Sequence, residues 1–158
     1  SRTTKDDLRM ECIGDFDELG AHLGLIYGMV QLPELQAELL DIIQVLFQIN
    51  AKIAGAVKYQ QLDLNLQIEV LEQSIDKMDT HLTPLKNFIF PVGNQVIGET
   101  HVARAICRRA ERKLVQVNKL YGFTNNSQGY VNRLSDWLFT VSRYLAVIDH
   151  INEIAVVL

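Results

Sequence analysis

Between His101 and Leu120 the chain sets six basic side chains, Arg104, Arg108, Arg109, Arg112, Lys113 and Lys119, against one acid, Glu111. The whole chain carries a formal net charge of −4, so this window holds +5 and everything outside it −9. Arginines gathered on one segment repel one another, and an anionic partner is the usual compensation. A planar guanidinium donates two parallel hydrogen bonds to a phosphate, which makes phosphate a well-matched anion. A solvated basic face on a surface helix is the other reading of the same residues. At about 100° per residue, Arg104, Arg108 and Glu111 fall within about 60° of one another on one stripe. Ala103, Ile106, Ala110, Leu114 and Val117 form the apolar stripe that a core requires. Arg109 and Lys113 project from a different flank. A purely solvated helix more often interleaves acids four residues from its bases, and this one does not.

Other groups invite chemistry and meet plainer alternatives. Asn132, Arg133, Ser135 and Asp136 make a polar block in an otherwise apolar segment, with Asn132 and Asp136 four apart on one face. That block is either a site or a solvent-facing stretch. Phe88 and Phe90, beside Pro91, read as core filler ahead of cofactor contacts. Lys5-Asp6-Asp7, taken alone, reads as a charged tail. His22, His81, His101 and His150 are scattered; His150 and Glu153 have HxxE spacing, without a second pair to build a di-iron carboxylate site. No metal site in the protein is expected. Cys12 and Cys107 lack CxxC spacing, which argues against zinc. Two isolated thiols suit a reducing compartment, most simply the cytosol. No nucleophile–histidine arrangement and no GxxxxGK[ST] loop is present, so triad hydrolysis and P-loop chemistry are unsupported.

These groups need elements to hold them. A length of 158 residues suits one domain, long enough to bury roughly two thirds of its extended surface. Hydrophobic content of 48% with 22% charged residues is globular rather than disordered composition. No run of about 18 apolar residues exists, so no membrane span is expected. A basic charge confined to one helix of an acidic chain argues against nucleic acid.

Five helical segments are legible. Asp15 and Glu18 have capping-box spacing and predict the start of the first helix, with Phe16, Leu19, Leu23, Ile26 and Val30 as its face. Gly20, Gly24 and Gly28 share another stripe; glycine costs about 1 kcal/mol against alanine in a helix, so close backbone approach by a neighbour is expected there. Pro33 suits the first turn of the second helix, whose face runs Leu35, Leu39, Ile42, Ile43, Leu46, Ile49 and Ile53. Ile68, Leu71, Ile75, Met78 and Leu82 carry the third, which Pro84 is expected to stop. Residues 85–98 read as an extended connector. Helix four carries the arginines and ends near Gly122. Asn125-Asn126-Ser127 breaks the chain and can cap helix five, whose face is Val131, Leu134, Leu138, Val141, Leu145 and Ile148. No strand alternation is convincing, and the fold class is all-α, a five-helix antiparallel bundle.

Together these blocks resemble the ATP:cob(I)alamin adenosyltransferases of the PduO type. Lys5-Asp6-Asp7 and Gly14-Asp15-Phe16-Asp17-Glu18-Leu19 look like that family's K-D-D and G-x-x-D-E-L motifs. Phe88-Ile89-Phe90-Pro91-Val92-Gly93 looks like its F-I-L-P-G-G connector. Arg104 through Arg112 matches its R-x-x-x-R-R-A-E-R helix, and Asn132-Arg133-Leu134-Ser135-Asp136 its N-R-L-S-D signature. The four blocks come in the expected order and cover nearly the whole chain.

The resemblance implies a trimer of five-helix bundles, with ATP between adjacent subunits, that transfers the 5′-deoxyadenosyl group of ATP to the cobalt of reduced cobalamin or a related corrinoid. Arg108 would hold the polyphosphate. Lys5, Glu111, Asn132, Arg133 and Asp136 would complete the nucleotide and cofactor site, with Mg2+ beside the phosphates. Asp17 would pair with Arg104 across the subunit interface. Phe88 would block the lower axial face of cobalt and keep the corrinoid base-off and four-coordinate. A flavoprotein reductase is the implied electron-supplying partner, and the compartment is the cytoplasm, or the mitochondrial matrix in a eukaryote. The expected single domain, 1–158, lacks the family's N-terminal glycine-rich T-x-T-G-D-x-G-x-T segment. It also has Pro91-Val92-Gly93 for P-G-G and Gly20-Ala21 where D-E-L is usually followed by N-S. An alternative of another class keeps the fold without the chemistry: a catalytically inactive trimeric nucleotide-binding protein.

Overall fold

The computed structural model of the chain describes residues 2–123 and 126–158. Its five α-helices are α1 (Arg2–Met29), α2 (Pro33–Ile53), α3 (Asn65–Asp79), α4 (Gln95–Tyr121) and α5 (Ser127–Ile148), with a short 3-10 turn at Val57–Tyr59. The all-α bundle expected from the periodicity is the fold. α1 packs against α2 and α4, and α5 packs against α4 and α3. α4 is therefore the central helix, flanked by α1 and α5. None of the helices, among the described residues, is long and apolar enough to cross a membrane.

Local chemistry explains most boundaries. Pro33 opens α2 at its first turn, where its missing N–H costs nothing. Asn94 caps α4, its Oδ1 accepting the Ile97 N–H at 3.1 Å. α4 ends at Gly122, whose φ of 66° is left-handed and whose N–H returns to the Asn118 carbonyl.

Three boundaries differ from the sequence expectation. α1 does not start at Asp15; it runs unbroken from Arg2. The apolar face continues upstream through Leu8 and buried Cys12, and Asp15 spends its carboxylate on Arg109 of α4 rather than on a cap. Pro84 does not stop α3, which ends at Asp79, so Leu82 lies beyond the helix. The connector is displaced from 85–98 to 80–94, because α3 ends at Asp79 and α4 begins at Gln95. Of the predicted 125–127 break, Asn125 lies outside the described residues. Asn126 makes no side-chain cap on α5. Its amide instead donates to Asp63 and Asn65 and accepts the Leu64 N–H, at 2.7, 2.8 and 2.9 Å, fastening the start of α3 to the start of α5.

The core runs through all five helices. Phe16, Leu19 and Leu23 of α1 meet Ala103, Cys107, Ala110 and Leu114 of α4 and Tyr130, Leu134, Trp137 and Val141 of α5, all buried. Trp137 is fully enclosed, and its indole N–H donates to Ser74 Oγ at 2.9 Å, which satisfies the one polar atom it brings inside. The glycine stripe overturns an expectation. A Cβ placed on Gly20, Gly24 or Gly28 meets nothing within 4 Å, so no element of this chain closes on them; α1 turns a different face inward.

Leu134 sits at the centre of this packing with no exposed surface. Leu134→Ala is expected to cost about 2–5 kcal/mol of unfolding free energy through lost burial and a residual cavity, read from chemical denaturation at fixed protein concentration.

Candidate functional site

α4 divides its surface as the sequence predicts. Ala103, Ile106, Ala110, Leu114 and Val117 are buried, which forces the basic residues onto two flanks. On one flank Arg109 bridges Asp15 and Glu18 of α1, and Lys113 pairs with Glu11. The acids missing from the helix itself arrive from its neighbour. On the other flank Arg104, Arg108 and Arg112 find no carboxylate within ion-pair distance among the described residues.

Arg104 shows what this arrangement costs. Its Nε is buried without a hydrogen-bond partner. Burial, and then the charge of Arg108 one turn away, hold its guanidinium below the usual arginine range. An anion placed between the two would relieve both effects, since it supplies the acceptor and offsets the like-charge repulsion.

Beside this flank, α4 and α5 bring Glu111 and Asn132 together, with Asn132 Nδ2 donating to Glu111 Oε2 at 3.0 Å. Asn132 and Asp136 are exposed on one face of α5, and Asp136 accepts an ion pair from Arg133 at 3.2 Å. So Arg104, Arg108, Glu111, Asn132, Arg133 and Asp136 belong to adjoining surfaces of α4 and α5. Lys5 and Asp17 do not join them within one chain. Both are exposed on α1, and no hydrogen bond or ion pair links Asp17 to Arg104.

Phe88 is 81% exposed, and Phe90 and Val92 are about half exposed, at 45% and 50%. The core-filler reading of the two phenylalanines fails: the connector carries them along the outside, where each leaves apolar surface in water. Behind them, a single antiparallel bridge joins Ile89 to Ala155. His101 is buried nearby, edge-on to Phe139. Burial first, and Arg104 second, hold its imidazole below the ordinary pKa, which favours the neutral ring at neutral pH.

The sequence reading missed two clusters. Arg143, in the apolar face of α5, is buried and bonded to Glu153 and to the Thr83 carbonyl. A lone arginine between Val141 and Leu145 was the available signal, and HxxE spacing drew attention to Glu153 for the wrong reason. His22 also bonds Glu99 across α1 and α4, a contact between distant positions that local spacing cannot reveal. Neither cysteine is poised for catalysis. Both are free and buried, and burial pushes the Cys12 thiol up to about 12 and Cys107 higher still. Among the described residues no group of three His, Cys, Asp or Glu side chains is arranged to hold a metal ion.

Comparison with known proteins follows the same lines. The sequence profile described as "Cobalamin adenosyltransferase" matches residues 1–145. A "Corrinoid adenosyltransferase" of Citrobacter freundii is 37% identical over 147 residues, covering 90% of this chain and 84% of that protein. Two solved structures of a PduO-type ATP:corrinoid adenosyltransferase from Lactobacillus reuteri are each 29% identical to it. A phenylalanine-to-alanine variant complexed with cobalamin and ATP has a TM-score of 0.83, covering 96% of this chain and 87% of the other. An arginine-to-lysine variant complexed with ATP has a TM-score of 0.85, covering 97% and 89%.

Two outcomes follow from burial alone. Phe88→Ala is expected to change the unfolding free energy by less than about 0.5 kcal/mol, against about 3–5 kcal/mol for a core phenylalanine, in denaturant titration. Cys12 and Cys107 are expected to resist a thiol reagent at pH 8, where both stay protonated, and to react fully once the chain is unfolded.

Proposed function

Because the chain belongs to the cobalamin adenosyltransferase family, we propose that the free arginine flank of α4, the Glu111–Asn132 pair and exposed Phe88 form the site where ATP meets a reduced corrinoid. The protein is an ATP:corrinoid adenosyltransferase. It transfers the 5′-deoxyadenosyl group of ATP to the cobalt of cob(I)alamin or a related corrinoid, giving adenosylcobalamin and triphosphate. The electron pair of Co(I) forms the bond to the ribose C5′ as the C5′–O bond breaks, and the triphosphate leaves with that bonding pair. Co(I) is so strong a nucleophile that the protein need only align the two atoms, stabilise the leaving anion and keep water out.

The observation that carries the assignment of residues is the unpaired state of Arg104 and Arg108. Two guanidiniums that repel each other, one with a buried donor unmet, are stabilised by an anion developing charge in the transition state. Arg108, the more exposed, takes the triphosphate. Glu111 and Asn132 hold each other in place for contacts to the nucleoside, while Arg133, Asp136 and Lys5 flank it. Mg2+ would accompany the triphosphate and neutralise phosphate charge there, and Glu111 and Asp136 are the carboxylates that would support it.

Phe88 takes the lower axial face of cobalt. An apolar ring there offers no ligand, keeps the corrinoid base-off and four-coordinate, and so favours reduction to Co(I). Its 81% exposure supports this, since a ring this open makes no demand on the core. In the Lactobacillus reuteri protein the altered phenylalanine and arginine stand 20 positions apart, the separation of Phe88 and Arg108 here. A flavoprotein reductase supplies the electron in a reducing compartment, the cytoplasm or, in a eukaryote, the mitochondrial matrix.

The working unit is a homotrimer built from this single domain, 1–158. Among the described residues neither exposed Asp17 nor Arg104 has an ion pair, so a neighbouring copy can bring the two together. The open stripe of Gly20, Gly24 and Gly28 gives that copy a surface without side chains to approach.

An anaerobic assay with ATP and cob(I)alamin tests the assignment. Arg108→Ala is expected to lose about 2–4 kcal/mol in kcat/KM, the range for a charge-assisted contact to an anion. Near-wild-type kinetics would remove Arg108 from the mechanism, and ATP binding without any transfer by the unaltered protein would favour the inactive nucleotide-binding alternative. Asp17→Asn is expected to impair turnover more than folding, and sedimentation should give a trimer; a fully active monomer rules out the intersubunit pair.

A further inference from the structure

Phe88 cannot hold itself in place. The stretch between α3 and α4 lacks helical bonding, and an exposed ring contributes little packing. What fixes its backbone is the segment after α5. The Phe90 N–H donates to the Ile154 carbonyl at 2.8 Å, and the Val156 N–H donates to the Phe88 carbonyl at 2.7 Å. That segment is turned back toward the connector by His150, the one non-glycine residue of positive φ, 56°, among those described. The turn is closed by the Ile151 N–H on the Ala146 carbonyl at 2.8 Å, the bond of a helix ending in a left-handed residue.

The two segments are also clamped at their ends. Arg143, 8% exposed, donates through Nε and Nη2 to both oxygens of Glu153, the shorter contact 3.0 Å, and through Nη2 to the Thr83 carbonyl at 2.8 Å. One buried guanidinium thus binds the start of the connector and the returning segment at once. At the other end, Asn94 donates to Asp149 at 2.7 Å, tying the α4 cap to the last turn of α5.

We propose that Arg143, Glu153 and the returning segment 151–156 act as the positioning device for Phe88, setting how closely its ring meets the lower face of the corrinoid. This rests on the reading of Phe88 as the lower-face blocker. Arg143 touches neither substrate; it acts through the backbone it clamps. The demand for such a device is physical. A blocking ring excludes a cobalt ligand only when it lies against the metal, and displacement by about 1 Å is enough to lose most of a geometric effect.

The test uses the full chain with Val156→Pro, which removes the N–H that holds the Phe88 carbonyl, and Glu153→Gln, which keeps shape and removes charge. Neither residue is in the core. The readout is the four-coordinate fraction of bound cob(II)alamin with ATP present, measured spectroscopically beside kcat and the KM for ATP. Both variants are expected to lower the four-coordinate fraction and kcat by about threefold or more, with the KM for ATP within about twofold. Adding Val156→Pro to Phe88→Ala should cause no further fall, because both act on one ring. A wild-type four-coordinate fraction in Val156→Pro and Glu153→Gln, with its loss in Phe88→Ala, overturns the positioning role and leaves the reading of Phe88 intact. A wild-type fraction in Phe88→Ala overturns both. A further fall in the double variant, or an equal loss of ATP affinity, means the segment supports the fold at large and overturns the positioning role as well.

Discussion

The apolar stripe of α4 decides where every charge on that helix can go. With Ala103, Ile106, Ala110, Leu114 and Val117 committed to the core, the bases are divided between two flanks that cannot exchange roles. The flank facing α1 is neutralised by Glu11, Asp15 and Glu18. The flank facing α5 keeps Arg104 and Arg108 uncompensated, and burial of the Arg104 Nε raises the cost of leaving them so. Stability and function therefore draw on one helix in opposite ways. Its inner face and α1 flank stabilise the bundle, and its outer flank leaves like charges uncompensated, the feature on which the proposed anion site rests.

Rigid and irregular parts divide the proposed site in the same manner. α4 and α5 carry the groups proposed to face phosphate, where helical backbone fixes each side chain to its neighbours and Asn132 and Glu111 meet directly. Phe88 lies on irregular chain, which makes no ladder of its own and borrows one from beyond α5. On the proposed assignment, adenosyl transfer needs both. A polyanion tolerates some latitude in its contacts because Coulomb attraction falls slowly with distance, whereas excluding a ligand from cobalt is a short-range steric matter. The part of the site with the stricter geometric demand is the one held by long-range contacts.

Much of this was legible in the sequence by itself. Helical periodicity gave the five helices and most of the inward face of each, because burial of an apolar stripe is a local consequence of 3.6 residues per turn, though Ile148 of α5 is exposed and Leu82 falls beyond α3. The arginine excess of α4 and its pattern with Glu111, Asn132 and Phe88 carried the family resemblance. Local signals misled where a side chain had a stronger use at a distance. Asp15 and Glu18 have the spacing of a cap, yet α1 runs through them because its apolar face continues upstream through Leu8 and Cys12, and Arg109 pairs with both carboxylates. Phe88 and Phe90 have core composition, yet the connector leaves them outside. Gly20, Gly24 and Gly28 suggest close approach, and no element of the chain provides it.

Sequence alone determined most of the apolar stripe that each helix turns inward and which chemistry the arginines suit, since both depend on residue type and helical spacing. Tertiary structure alone decided which of those arginines remain free, since pairing depends on where the acids of α1 fall. It also decided that Arg143 pairs with Glu153 and reaches the Thr83 carbonyl, which holds the connector. Those outcomes depend on distances between residues far apart along the chain, and no local pattern encodes them.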